Sequence, residues 1–300
     1  MSALSDTEFA YRLTEVADKV TVALDQLIPP AQGPEADLMR AMRHAALANG
    51  KRMRPFYVIE TGAIFDAPEK SVLRAAAALE CVHCYSLVHD DLPCMDDDDF
   101  RRGQPTVHKA FDEATAVLAG DALLTLAFKI LASEETHKDA GIRLRLIERL
   151  ADSAGALGMV GGQMIDMLEE ESPRDLNTIT RMQRLKTGAL ISYSVEAGAI
   201  LGGANDAERN ALHGFAHDLG LAFQISDDLL DATGDEVEVG KPLRKDTEAG
   251  KANFVTLLGI EAARERIQML AAQARTHLAI FHNRANILLQ SVDFVLDRSR

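Results

Sequence analysis

Apolar residues return every three or four positions along most of this chain, and that spacing constrains its fold more than any other feature. Phe9, Leu13, Val16, Val20, Leu24 and Leu27 form one stripe, and Leu144, Ile147, Leu150 and Ala154 form another. A period near 3.6 marks an amphipathic helix, and few alternating β-branched runs compete with it. The pattern breaks at IPPAQGP (28–34), FDAPEKS (65–71), ESPRD (171–175) and GGANDAE (202–208), where Pro, Gly, Asn and Asp supply helix stops and N-caps. No linker is long enough, or low enough in complexity, to part domains. The pattern predicts an all-α fold of roughly ten helices in a single domain spanning residues 1–300.

Charge narrows the partners. The formal net charge is -14, so nucleic acid, which demands clustered basic surface, is not an expected partner, and anionic membranes are disfavoured for the same reason. The N-terminus MSALSDTEFAYRLTEVADKV has no apolar core behind a basic start, which argues against a secretory signal. ATAVLAGDALLTLAF and GALISYSVEAGAILGGA are interrupted by Asp121 and Glu196, so no membrane-spanning helix is expected. The expectation is a soluble cytoplasmic protein. Cys81, Cys84 and Cys94 are too few for a disulfide framework, and CVHC sits in a helical apolar pattern (Ala77, Ala78, Cys81, Cys84, Val88), which favours core thiols over zinc.

Two acidic clusters stand out. HDDLPCMDDDDFRRG (89–103) holds six aspartates within residues 90–99, then Arg101 and Arg102. Crowded carboxylates resist ionising together unless a cation lies among them. Asp90 and Asp96 would diverge on a straight helix, and Pro93 denies the helix a regular hydrogen bond, so a kink is needed to bring them together. In DDLLD, Asp227 and Asp231 are four apart and share a helix face. Facing one another, two such groups would suit Mg²⁺, a hard cation that takes carboxylates, waters and phosphate oxygens. Guanidinium forks match phosphate, and Arg101 and Arg102, being adjacent, point to different anions. Further basic residues lie at Lys51 and Arg54 (NGKRMRP), Lys186 beside Thr187 (LKTG), and Lys241 and Lys251 (VGKPLRKDTEAGKANF).

GKRMRP, HDDLPCMDDDDFRRG, LAGDALLTLAF, GGQMIDM, KTGALI and FQISDDLLD occur in the order seen in short-chain trans-prenyltransferases. The chain resembles that polyprenyl synthase family from about residue 40 through GKANF and onward. The resemblance implies an isoprenoid-synthase bundle around a deep central cavity, a homodimer, and two aspartate motifs facing each other. It implies condensation of isopentenyl diphosphate with dimethylallyl and geranyl diphosphate, giving a C15 product, with a C20 product or a non-catalytic subunit as alternatives. By the same resemblance Asp90, Asp96 and Asp227 hold Mg²⁺, and Asp91, Asp228 and Asp231 support the ions indirectly. Arg101, Lys186, Lys241 and Lys251 grip the allylic diphosphate, and Lys51, Arg54, His83 and Arg102 bind isopentenyl diphosphate. The Lys186 carbonyl and the side chains of Thr187 and Gln224 face the allylic cation. Tyr85, five residues before Asp90, limits chain length. Asn49 departs from the family pattern, where glycine is common, and the chain ends in DRSR in place of a more basic tail.

Overall fold

A computed structural model describes residues 8–168, 175–233 and 253–298. The chain forms two compact units, Met1–Arg149 with Ile200–Gly203, and Leu150–Ala199 with Ala204–Arg300. In the first unit α1 (Glu8–Leu27), α2 (Ala36–Ala46), α3 (Met53–Ile64), α4 (Glu69–Asp90), α5 (Val107–Ala110) and α6 (Glu113–Ala132) precede α7 (Ala140–Ala154), whose end passes into the second unit. α4 is the core element and packs against α6 and α3. Its run of four alanines, Ala75–Ala78, is fully buried, because small side chains let neighbouring helices close in. The FDAPEKS break does what its composition requires: Pro68 stands at the N-cap of α4 and its carbonyl accepts from Ser71 and Val72.

The α1 stripe is buried at Phe9, Val16, Val20 and Leu24. The α7 stripe differs from expectation: Leu146, Leu150 and Ala154 are buried, whereas Leu144 is 65% exposed. At about 100° per residue, Leu144 lies roughly 140° around the helix from the centre of the Leu146–Leu150 arc. Among the described residues one short hairpin interrupts the helices. β1 (Phe100–Arg101) pairs antiparallel with β2 (Gln104–Pro105), and Arg102 and Gly103, with φ of 54° and 80°, make the two-residue turn. Left-handed backbone at both turn residues is the geometry that fits the twist of paired strands.

The second unit holds α8 (Met159–Leu168), α9 (Leu176–Gln183), a π-helical turn (Arg184–Gly188), α10 (Ala189–Leu201, ending in the first unit) and α11 (Asp206–Thr233). After these come α12 (Phe254–Leu258), α13 (Ile260–Leu278), a 3₁₀ segment (Ala279–Ala285) and α14 (Asn286–Arg298). α11 packs mainly on α13. The GGANDAE break starts α11 with reciprocal bonds: Asn205 N–H donates to Glu208 Oε2 at 2.8 Å and Glu208 N–H donates to Asn205 Oδ1 at 3.0 Å. By length and composition α4 and α6 are apolar enough to cross a membrane, which differs from the expectation for the α6 segment; most of the α4 window is buried in protein.

α8 and the π turn touch backbone to backbone. A Cβ at Gly162 would stand 2.2 Å from Lys186 N and 2.6 Å from its Cα. Gly162→Ala is expected to cost about 1–3 kcal/mol through overpacking, read as a lower midpoint in chemical denaturation, because the obstructing atoms are main chain and cannot rotate away.

Candidate active site

α4 is buried on most sides, yet one stripe of it and its C-cap carries Glu80, His83 and Asp91. Glu80 is 1% exposed and Asp91 3%, and carboxylates so placed require partners. Each polar group receives an arginine. Arg52 Nη1 donates to Glu80 Oε1 at 2.5 Å, and Arg102 Nη2 stands 3.9 Å from the same oxygen. Arg54 Nη1 donates to His83 Nε2 at 3.3 Å, and Arg101 Nε donates to Asp91 Oδ1 at 2.6 Å. Four guanidiniums thus gather over one helix face, with exposed Lys51 next to them in sequence. The hairpin turn sends Arg101 and Arg102 to different carboxylates, which separates the adjacent pair.

Because a guanidinium can only donate, His83 Nε2 carries a lone pair and the ring proton sits on Nδ1. Burial, and the fields of Arg54, Arg102, Arg101 and Arg52, hold the His83 pKa well below its ordinary value. Burial raises the Asp91 pKa against the pull of Arg101. Tyr85 is buried with its ring edge-on to His89, centroids 5.7 Å apart. Burial and the Asp90 charge push its phenol up to about 12, so it stays neutral.

The aspartate loop folds back on the end of α4. Asp96 N–H donates to the Asp90 carbonyl at 2.8 Å, and Asp97 N–H to the Leu92 carbonyl at 3.2 Å. The chain therefore reverses around Pro93 and returns the backbone of Asp96 to that of Asp90, with Asp97 in left-handed backbone at φ 49°. Asp96 is exposed. An oxygen-only donor set, its two carboxylates rooted one backbone hydrogen bond apart with Asp96 exposed and Asp90 half-buried, fits Mg²⁺, which keeps several waters. Beside it Asp97, Asp99 and His108 bring one ligand atom each within 4.8 Å of one another. Lys109 Nζ already stands 2.8 Å from Asp99 Oδ1, so a cation there competes with an ammonium group.

In the second unit Lys186 and Thr187 lie in the π turn, which packs on α11, the helix that carries Gln224, Asp227, Asp228 and Asp231. A π turn shifts the register of its carbonyls and recurs at functional sites. Lys186 Nζ donates to Asp166 Oδ2 at 2.6 Å. Asp228 is buried, and its Oδ2 accepts from Phe254 N–H at 2.8 Å, which ties α12 to α11. Lys241 and Lys251 lie outside the described residues.

Sequence reasoning passed over Glu80, Arg52 and Asp166. Glu80 had a signal, a carboxylate in the interior of an Ala-rich helix at helical spacing from His83 and Asp91. Asp166, one turn after Gly162, had a weaker one in GGQMIDM.

A sequence profile described as Polyprenyl synthetase matches residues 35–283. The chain belongs to the polyprenyl synthetase family. This polyprenyl synthetase family member is 44% identical over 279 residues to a farnesyl diphosphate synthase from Geobacillus stearothermophilus, covering 93% of each chain. It is similar to the apo structure of an FPP/GFPP synthase from Zymomonas mobilis, with TM-score 0.88 and 47% identity over 96% of this chain and 98% of that one. A geranyltransferase from Helicobacter pylori complexed with magnesium and isoprenyl diphosphate is similar at TM-score 0.81 and 32% identity, covering 97% of each chain.

His83 makes stability depend on pH. The unfolded chain takes up a proton near pH ~6.5, whereas folded His83 resists until the pH is lower, so the unfolded state binds more protons and stability falls as pH drops below that value. His83→Gln, which retains an acceptor for Arg54 but does not titrate, is expected to narrow the gap between Tm at pH 7.5 and at pH 5.5 by roughly 2–4 °C.

Proposed function

We propose that this chain is a farnesyl diphosphate synthase, a trans-prenyltransferase that joins isopentenyl diphosphate first to dimethylallyl and then to geranyl diphosphate. The observation that carries the reading is the set of arginines paired along α4 beside the folded-back aspartate loop. In a protein of net charge -14, such a cluster is built for a small polyanion. The 44% identity to a farnesyl diphosphate synthase names which polyanion.

In this reading Lys51, Arg54, His83 and Arg102 hold isopentenyl diphosphate, and Arg101, Lys186, Lys241 and Lys251 grip the allylic diphosphate. Asp90, Asp96 and Asp227 would hold Mg²⁺, and Asp91, Asp228 and Asp231 would support the ions indirectly. Bound there, Mg²⁺ supplies positive charge against the departing diphosphate. Arg101 and Lys186 supply positive charge to the leaving group, each oriented within its own unit by a carboxylate, Asp91 and Asp166 respectively. The Lys186 carbonyl, Thr187 and Gln224 turn weakly nucleophilic negative ends towards the allylic cation. The isopentenyl double bond attacks it, and the released diphosphate takes the proton lost in forming the new double bond.

The whole chain, 1–300, acts as one isoprenoid-synthase-like domain, supported by a family match that draws on both units. It works in the cytoplasm as a homodimer without inserting in a membrane. Support for the dimer is the face of α6 that leaves Val117 and Leu118 41% and 55% exposed. Leu118→Glu is expected to convert dimer to monomer by light scattering of the purified protein.

Purified protein with Mg²⁺, isopentenyl diphosphate and dimethylallyl diphosphate is expected to give a C15 alcohol after dephosphorylation; no condensation with any allylic starter overturns the reading. Tyr85 serves as the floor that stops the chain, since a buried aromatic one to two turns below Asp90 occupies space a longer prenyl chain needs. Tyr85→Ala is expected to shift the main product to C20 or longer by the same chromatography.

A further inference from the structure

Glu80 has no place in the reaction just described, yet it is the most deeply buried carboxylate beside the arginine cluster. An anion there opposes an incoming diphosphate by simple repulsion, so affinity alone does not explain it. Its surroundings do. Arg52, 3% exposed, donates through Nη1 to Glu80 and through Nη2 to the carbonyls of Ala46 and Ala48, at 2.7 and 2.8 Å. That fixes the segment leading into Gly50 and Lys51 relative to α4. Cys84, its thiol pushed up to about 12 by burial and by the Glu80 charge, remains a proton donor 3.9 Å from Glu80 Oε1.

Arg102 is held from two sides. Its Nη2 stands 3.9 Å from Glu80 Oε1, and its guanidinium lies so close to Gly50 that a Cβ there would stand 2.9 Å from Cζ. Arg52 and Arg102 both adopt left-handed backbone, at φ 49° and 54°, which only three other non-glycine residues do among those described. Such backbone persists where surrounding interactions over-determine it. Two strained arginines from separate segments converge on one carboxylate.

We infer that Glu80 is a positioning residue for the isopentenyl diphosphate subsite, setting the Arg102 guanidinium against Gly50 while Arg52 locks the carboxylate in place. The inference rests on the reading of Arg102 as a ligand of that substrate. It acts by preorganisation: a guanidinium already fixed loses less freedom when the diphosphate arrives.

The experiment is steady-state kinetics of the full chain with each substrate varied in turn, and with folding checked by circular dichroism. Glu80→Gln is expected to raise KM for isopentenyl diphosphate about tenfold, with kcat and the allylic KM changing less than about threefold. In an Arg102→Gln background the same change is expected to add less than about twofold, because the two residues act through one contact. An unchanged isopentenyl KM, equal rises in both KM values, or the full tenfold effect without Arg102 overturns the inference. Should Glu80→Gln not fold, Glu80→Asp keeps the buried charge but withdraws it by one methylene. A rise of about threefold in the isopentenyl KM alone is then expected, and no rise overturns the inference. Failure of the functional reading is seen separately, as absence of condensation by the unaltered protein.

Discussion

A buried helix that carries ionisable groups must have each of them answered, and α4 meets this requirement with arginine. Glu80, His83 and Asp91 share one stripe of an element whose other faces are alanine, cysteine and valine packed against α3 and α6. Leaving any of these groups unpartnered would cost more than a hydrogen bond contributes. Arg52, Arg54, Arg101 and Arg102 are therefore drawn to fixed places by the needs of the core, and the cationic cluster is a consequence of how α4 is satisfied. The same pairing lets an acidic chain hold a local cluster of guanidiniums in low-dielectric surroundings, where water and salt screen their charge less than they screen charge at the exposed surface.

Regular helix geometry places side chains every 100°, and the chain departs from it at three places among the described residues that carry acidic or basic motifs. Around Pro93 the chain reverses so that Asp96 N–H reaches the Asp90 carbonyl. At Arg102 and Gly103 two left-handed residues turn a hairpin and send neighbouring arginines apart. At Arg184–Gly188 a π turn re-aims Lys186 and Thr187, with Gly162 giving the backbone room to approach. Two of these segments carry left-handed backbone outside glycine, at Asp97 and at Arg102.

Two aspartates of the acidic motifs are committed within the fold. Asp91 is committed to Arg101 and Asp228 to the N-terminus of α12, so in both DD pairs the second aspartate is spent on architecture. The first of each pair, Asp90 and Asp227, is the less buried one. In each pair one carboxylate is tied into the fold and its neighbour lies nearer the surface.

Helix class, the positions of the IPPAQGP, FDAPEKS and GGANDAE breaks and the identity of the basic and acidic segments were determined by the sequence alone, because periodicity, capping and Pro or Gly chemistry act over a few residues; most of the ESPRD break lies outside the described residues. Asn205 with Glu208 and Pro68 before α4 are local in this sense. So was the motif order that marks the family. The buried arc of α7 was misjudged at Leu144, since two nearly equal apolar stripes on one helix are told apart only by what packs against them. Glu80, Arg52 and Asp166 were overlooked for a related reason: their partners lie 20 to 28 residues away in sequence. Which carboxylate meets which guanidinium is a property of packing, where the low dielectric turns proximity into a requirement, and only the tertiary structure could decide it.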